Sequence, residues 1–110
     1  MKSDLIYIDH ILQAIEKIHK FTKDLSQEDF NLNEMAQDAV IRNIEILGEA
    51  TKNISENLKT IYKDIPWRAM AGMRDKLIHD YMGIDVEIVW ATIKKDIPEL
   101  EKLLREIKLP

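Results

Sequence analysis

Apolar residues recur at intervals of three and four along almost the whole chain, and no stretch alternates apolar and polar residues for long enough to indicate a β-strand. The spacing predicts four long helices, at about 5–24, 33–57, 66–82 and 85–108. A short helical turn is expected after Ser26, because Ser26 and Asp29 resemble a capping box with Asp in place of the usual Glu. The economical arrangement is an antiparallel four-helix bundle with an additional short helix. The predicted fold class is therefore all-α.

Single residues mark the predicted helix ends and irregularities. Asn33 is a candidate N-cap of the second helix, Pro66 suits the first turn of the third, Gly83 ends it, Asp85 caps the last helix, and Pro98 is expected to kink that helix. Gly48 lies in the middle of the second helix, where glycine costs roughly 1 kcal/mol relative to alanine. We expect the close approach of another helix to offset this cost.

Composition narrows the class of protein. The 110 residues suit one domain, spanning 1–110, with one hydrophobic core. Hydrophobic residues make up 45% and charged residues 33%, which excludes a disordered chain. The absence of cysteine excludes a disulfide scaffold, a thiolate metal site and a cysteine nucleophile. Without a long apolar run or a signal-like N-terminus, we expect a cytoplasmic protein with no membrane contact.

The formal net charge of -4 argues against a generic, high-affinity binder of nucleic acid phosphates. Such binding draws on many Lys and Arg side chains, whereas this chain has 16 of them against 20 Asp and Glu. Any contact with nucleic acid is therefore expected to be local.

Arg74 falls on the apolar stripe of the third predicted helix, between Met70 and Leu77, and so is expected to face the core. A guanidinium keeps its proton, so a desolvated one must find a carboxylate, carbonyl groups or a phosphate. The structural alternative is an arginine that extends from the end of the bundle or pairs with a buried acid, and the residues alone favour it.

Asp75 and His79 lie four residues apart on a neighbouring strip of the same predicted helix, where a carboxylate can fix the tautomer of an imidazole. An exposed helical pair without a role is the structural alternative. Arg74 and His79 are about 140° apart around a helix axis, so one straight helix does not direct both at one small target. A site composed from two chains, or a locally distorted helix, would remove this difficulty. Tyr81 returns to the side of Arg74, where it could also be a core tyrosine.

Arg74, His79 and Tyr81 together form the pattern Arg-x4-His-x-Tyr. With this motif, the segments 37–50, 65–68, 72–81 and 89–90 resemble, in order, the HepT-like toxins of the HEPN (higher eukaryote and prokaryote nucleotide-binding) superfamily. The resemblance covers nearly the whole chain. Asp75 stands where many members of that family carry Asn directly after the arginine.

The resemblance implies a HEPN-like helical homodimer whose two Arg–His motifs meet in a cleft and cleave RNA, either tRNA or mRNA, without a metal or another cofactor. In this chain Arg74 and His79 would be the catalytic residues and Asp75 would support His79. The family further implies a type VII-like toxin–antitoxin pair. In it, a minimal nucleotidyltransferase antitoxin resembling MntA would neutralise the toxin by attaching AMP to Tyr81.

The expected reaction is attack of a 2'-hydroxyl on the adjacent phosphate, with His79 transferring protons and Arg74 neutralising charge. The rival class is a non-catalytic helical dimer that binds a partner nucleotidyltransferase or a nucleotide, and the acidic net charge favours it slightly. His10 and His19 are expected at surface or boundary positions. The spacing of Arg42, Glu45 and Glu49 allows them to reach either the cleft or the dimer seam and does not choose between these.

Overall fold

Helices account for nearly all regular structure in the computed structural model, which describes residues 2–78 and 83–108. In chain order they are α1 (Lys2–Thr22), α2 (Gln27–Leu32), α3 (Glu34–Lys52), α4 (Glu56–Ile61), α5 (Trp67–Ala71), α6 (Met73–Leu77), α7 (Val86–Ala91), a π-helical segment (Thr92–Asp96) and α8 (Ile97–Arg105). No β-strand is present within these ranges, which confirms the all-α class. The first predicted helix is confirmed by α1, whereas each of the other three predicted helices is divided into shorter elements.

The core forms where α1 packs along α3 and where α8 and the short helices α2, α5 and α6 close over them. Its fully buried large side chains come from every part of the chain: Ile11, Ile15, Ile18, Phe30, Ile44, Leu47, Leu58, Met70, Leu77, Ile93, Ile97 and Leu104. Leu5 and Met35 are large apolar residues that lie near helix starts and are exposed.

Three predicted helix caps are confirmed. Ser26 and Asp29 form the reciprocal capping box at α2. The Asn33 side chain accepts a hydrogen bond from the Ala36 N–H at 3.0 Å, and the Asp85 side chain accepts one from the Ile88 N–H at 3.2 Å. Each cap satisfies a backbone donor that the first helical turn leaves unpaired, so local sequence is enough to fix these starts.

The second predicted helix was expected to reach 57, but α3 ends at Lys52 and a separate helix, α4, begins at Glu56. Ser55 caps α4, and Asp4 of α1 binds Ser55 from across the fold. One Asp4 carboxylate oxygen accepts the Ser55 N–H at 2.8 Å, and the other accepts the Ser55 hydroxyl at 2.7 Å. Burial alone would raise the pKa of Asp4, but the two hydrogen bonds from Ser55 and the charge of Lys59 outweigh it and lower the pKa.

The prediction of a single helix over 66–82 is wrong. Gly72 separates α5 from α6, and α6 ends at Leu77, where Ile78 takes an extended conformation. Ile78 forms an isolated antiparallel bridge with Ile84, and the Asp85 N–H donates to the Leu77 carbonyl at 2.9 Å. Gly83 precedes this return with φ of 92°, a conformation that favours glycine. The end of α6 and the segment that leads into α7 thus lie side by side.

The last predicted helix is divided into α7, the π-helical segment and α8, and it ends at Arg105. At the junction with α8 the Ile97 N–H donates to the Thr92 carbonyl, five residues back. Pro98 has no N–H, and its ring would press on a carbonyl four residues earlier in a regular α-helix. The wider π turn lies just before Pro98, so the predicted disturbance is present as a change of helix type.

Candidate functional site

Helices α1, α3, α5 and α6 enclose a surface cleft of about 420 Å³. Arg74 and Asp75 of the sequence motif line it, together with Tyr7, His10, Arg42, Ile44, Glu45, Ile46, Gly48, Glu49, Ala50, Lys52, Asn53 and Ala71. Cations and carboxylates alternate around its wall, so the cleft has no single sign of charge. We call it the Arg74 cleft.

The prediction that Arg74 faces the core is wrong, because its side chain is 46% exposed in the Arg74 cleft. The predicted stripe assumed one continuous helix, whereas the break at Gly72 changes the direction of the residues that follow. Arg74 Nε donates a hydrogen bond to Glu45 Oε2 at 2.9 Å, and Nη1 lies 3.7 Å from Asp75 Oδ1. Of the partners considered from the sequence, the guanidinium has found a carboxylate, but one that is itself 35% exposed.

Gly48 sets how closely α3 and α5 approach each other. A Cβ atom added at Gly48 would lie 3.2 Å from the Ala71 carbonyl oxygen and 3.5 Å from that of Met70. The expected close approach of another helix is therefore confirmed. Glu45 lies three residues before Gly48, and Arg74 lies three residues after Ala71. The close approach at Gly48 and Ala71 and the ion pair of Glu45 with Arg74 are therefore neighbouring contacts between two antiparallel segments.

His79 and Tyr81 lie outside the described residues, so their predicted roles stay predictions. The residues just before them nevertheless affect two predictions. The pairing of Asp75 with His79 on one face of a helix, and the angle of about 140° between Arg74 and His79, both assumed a helix that continues to residue 79. That helix, α6, ends at Leu77. Of the two alternatives to a straight helix, local distortion is thus present in this chain. Asp75 itself is 83% exposed.

Two aromatic residues of α1 also line the Arg74 cleft, where no sequence pattern predicted them. The rings of Tyr7 and His10 are edge to face, with centroids 6.1 Å apart. His10 is exposed, as expected, whereas His19 is half-buried with Nε2 3.2 Å from Glu101 Oε1. Only the position of α1 against α3 brings His10 to the cleft, so a pattern in the sequence could not have found it.

The structure also distinguishes the three charged residues of α3 that the spacing left equivalent. Arg42, Glu45 and Glu49 all line the Arg74 cleft. Glu45 contacts Arg74, whereas the Glu49 side chain is 72% exposed and pairs with Lys52 at 3.2 Å. The sequence placed Glu45 among these three charged residues of α3. Only the tertiary contact with Arg74 shows that Glu45 is the one that pairs with the motif.

A second concave surface, of about 640 Å³, lies against α5 and is lined by Lys63, Arg68 and Lys76 with no carboxylate among its lining residues. We call these three residues the basic surface. Its other lining residues, Gly72 among them, come from the segment that leads to Arg74. The basic surface is a local concentration of positive charge on a chain whose net charge is negative.

Two further properties concern only residues 2–78 and 83–108. This part of the chain contains no group of three or more His, Asp or Glu residues arranged to hold a metal ion. None of its helices has the length and apolar character needed to cross a bilayer.

Comparison with known proteins identifies the family. The family model described as "Ribonuclease HepT-like" matches residues 11–107. The chain is 48% identical over 102 residues to a protein of Thermococcus cleftensis named "Probable ribonuclease HepT", covering 93% of each chain. It is 45% identical to a "Putative RNase" of Caldanaerobacter subterraneus subsp. tengcongensis, covering 97% of this chain and 96% of the relative.

A third relative is a longer protein. The chain is 46% identical to "Gamma-glutamylcyclotransferase and putative RNase" of Methanocaldococcus jannaschii, but it spans about half of that protein, 49% of its length. No solved structure matches the chain. The family model and the first two relatives each cover nearly the whole chain, and therefore this protein belongs to the HepT-like ribonuclease family.

Proposed function

We propose that this protein is a metal-independent endoribonuclease and the toxin of a type VII-like toxin–antitoxin pair, with a composite Arg–His site at a homodimer cleft. The observation that carries the proposal is the state of Arg74. Of the motif's Arg–His pair, the structure describes only Arg74. Its guanidinium is exposed in the Arg74 cleft and is not buried in the core. An exposed guanidinium with free N–H groups can bind a phosphodiester of RNA.

In the proposed reaction the 2'-oxygen of one ribose attacks the adjacent phosphorus and the bond from phosphorus to the 5'-oxygen breaks. One His79 takes the proton of the 2'-hydroxyl, and the His79 of the second protomer gives a proton to the leaving 5'-oxygen. The products are a 2',3'-cyclic phosphate and a 5'-hydroxyl. An unperturbed imidazole titrates near pH 6.5, so both protonation states are accessible at neutral pH.

The role of Arg74 in this reaction is to stabilise negative charge. Negative charge grows on the two non-bridging phosphate oxygens as the phosphorane forms, and a fixed guanidinium stabilises that charge. Asp75 lies next to Arg74 in the chain and is exposed. There its carboxylate can support His79 from the partner protomer or from its own.

The decisive experiment compares His79→Ala with His10→Ala in the presence of chelator, using RNA of defined sequence. His10 is a control, because it is an exposed histidine that lines the Arg74 cleft and does not belong to the motif. We expect His79→Ala to abolish cleavage and His10→Ala to retain it, with cyclic phosphate ends on the products. If folded, dimeric His79→Ala cleaves RNA in chelator as fast as the parent, the proposal is wrong.

Tyr81 is the proposed site of neutralisation. Its hydroxyl oxygen would attack the α-phosphorus of ATP in the nucleotidyltransferase antitoxin, and pyrophosphate would leave. The attached AMP brings a bulky anion to the motif, where it competes with RNA phosphate for Arg74. Incubation with the partner enzyme and ATP, followed by mass spectrometry, should show one adenylate on the Tyr81 peptide and none in Tyr81→Phe. An unmodified Tyr81 peptide would contradict this part of the proposal.

The alternative function is a non-catalytic module that binds the nucleotidyltransferase or a nucleotide. The three carboxylates of the Arg74 cleft, on Glu45, Glu49 and Asp75, favour the protein partner, because they oppose the phosphates of RNA and of a nucleotide alike. Expression of the chain alone and with its partner separates the two functions. Growth arrest that the partner relieves and Arg74→Ala abolishes supports the nuclease, whereas unaffected growth supports the module.

A further inference from the structure

We propose that Glu45 is the positioning residue of the site: it fixes the guanidinium of Arg74 so that its two Nη groups face the cleft and bind a phosphate. This inference rests on the proposed ribonuclease function. Glu45 is not part of the Arg-x4-His-x-Tyr motif, and it lies 29 residues away from Arg74 in the chain.

The contact occupies one particular edge of the guanidinium. Arginine has five N–H donors, one on Nε and two on each Nη. Glu45 Oε2 accepts the Nε donor at 2.9 Å, the length of a charge-assisted hydrogen bond. The distance of 3.7 Å from Nη1 to Asp75 Oδ1 is too long for a hydrogen bond. The four Nη donors are therefore free of hydrogen bonds to any described residue, and two of them form a parallel pair suited to two phosphate oxygens.

The two residues differ in how firmly the fold holds them. Glu45 lies in the middle of the 19-residue helix α3, whereas Arg74 lies in the five-residue helix α6, between Gly72 and the end of α6 at Leu77. The backbone contact between Gly48 and Ala71, one turn away, keeps the two segments at a fixed separation. A long arginine side chain on a short helix gains a defined direction from a carboxylate on a rigid one.

The unfolding curve distinguishes a positioning role of Glu45 from a role in folding stability. Exposed ion pairs contribute little to folding stability, so loss of Glu45 should leave the unfolding curve almost unchanged. Glu45 has two effects on the site that oppose each other. Its hydrogen bond directs Arg74, and its negative charge weakens the attraction of RNA phosphate. Glu45→Gln removes the charge but keeps an oxygen that can accept from Nε, whereas Glu45→Ala removes both.

The matched control is Glu49→Ala. Glu49 is on the same helix, lines the same cleft and carries the same charge, but it pairs with Lys52 and not with Arg74. The first measurement is the side-chain Nε–Hε resonance of Arg74 by NMR, assigned with Arg74→Lys. We expect a hydrogen-bonded, slowly exchanging Hε in the parent and in Glu49→Ala. In Glu45→Ala it should exchange rapidly with water, and in Glu45→Gln it should be protected to an intermediate degree.

The second measurement is RNA cleavage at saturating and limiting substrate. Small misplacement of a catalytic group can reduce a rate by up to about 100-fold, so we expect kcat of Glu45→Ala to fall about 10- to 100-fold. Glu45→Gln should retain most of kcat with a lower KM. Glu49→Ala removes a negative charge from the same cleft and should also lower KM, with a kcat well above that of Glu45→Ala. Unfolding curves of all variants confirm that each is folded.

The outcomes are distinguishable from those for the function itself. Equal kcat in Glu45→Ala and Glu49→Ala, or an Arg74 Hε that does not respond to Glu45→Ala, would overturn the positioning role. An equal fall of kcat in Glu45→Gln and Glu45→Ala would also overturn it, since charge and not direction would then matter. If the parent protein cleaves no RNA, the ribonuclease proposal is wrong, and the NMR comparison alone decides whether Glu45 positions Arg74.

Discussion

Asp4 offers the sharpest test of the energetics, because a single carboxylate joins two distant parts of the chain. It is 2% exposed and accepts two hydrogen bonds from Ser55, which in turn caps α4. A hydrogen bond to a charged group contributes about 1.5–3 kcal/mol. Asp4→Ala removes both bonds, so we expect it to lower the free energy of unfolding by about 3 kcal/mol at pH 7. Asp4→Asn keeps the shape and one acceptor, and should cost about 1 kcal/mol.

The pH dependence of the free energy of unfolding shows whether the charge of Asp4 stabilises the folded protein. The pKa of Asp4 in the folded protein lies below its value in the unfolded chain, which is near 3.9. The stabilisation from its charge is therefore fully present above that ordinary value and is lost as the pH falls through the folded pKa. The difference in stability between the parent and Asp4→Asn should thus be largest at neutral pH and approach zero in acid.

Urea unfolding followed by circular dichroism, at pH 7 and pH 3 and at one protein concentration, measures both quantities. Asp9→Asn is the control, because Asp9 is an exposed residue of the same helix whose carboxylate accepts a hydrogen bond from Gln13. Its effect should stay within about 0.5 kcal/mol. A cost of Asp4→Ala no larger than that of the control, or an Asp4→Asn cost that persists unchanged in acid, would refute the reasoning.

Four other substitutions test the site and its scaffold. Gly48→Val places a side chain against the backbone of α5, and we expect a loss of about 1–3 kcal/mol in urea unfolding together with weaker cleavage; undiminished stability and cleavage would contradict the close contact. Gly83→Ala should cost about 1–2 kcal/mol from its positive φ alone, since a Cβ there meets nothing within 4 Å; an unchanged midpoint would contradict this. Arg68→Glu and Lys76→Glu should each weaken RNA binding and flatten its dependence on salt by about one unit of log–log slope, whereas Lys20→Glu, at an exposed position of α1, should not; equal effects would contradict a role of the basic surface.

Local chemistry explains which features of the fold were predictable. The caps at Ser26, Asn33 and Asp85 depend on residues within one turn, and the sequence contains all of that information. The break after α3 was missed because Ile54 and Leu58 continue the apolar period and are buried as expected. The Ser55 cap that starts α4 is local, but the two hydrogen bonds that hold Ser55 come from Asp4, 51 residues away in the chain, and no local pattern records them.

The same division applies to the site. The motif selected Arg74, but its surroundings were misjudged, because apolar spacing assumed a helix that Gly72 and Ile78 interrupt. Spacing also ranked Glu45 equally with its charged neighbours on α3, since each lies on the face that meets the cleft. Only the packing of α3 against α5 and α6 decides which carboxylate reaches the guanidinium.

The return of the chain at Ile78 and Ile84 has a consequence for the modification proposed at Tyr81. Because that bridge and the bond between Leu77 and Asp85 join the flanking helices directly, chemical change in the motif residues between them need not disturb the helical scaffold. A protein that carries the proposed adenylate on Tyr81 would then stay folded, and removal of the adenylate, without new synthesis, would restore the unmodified chain.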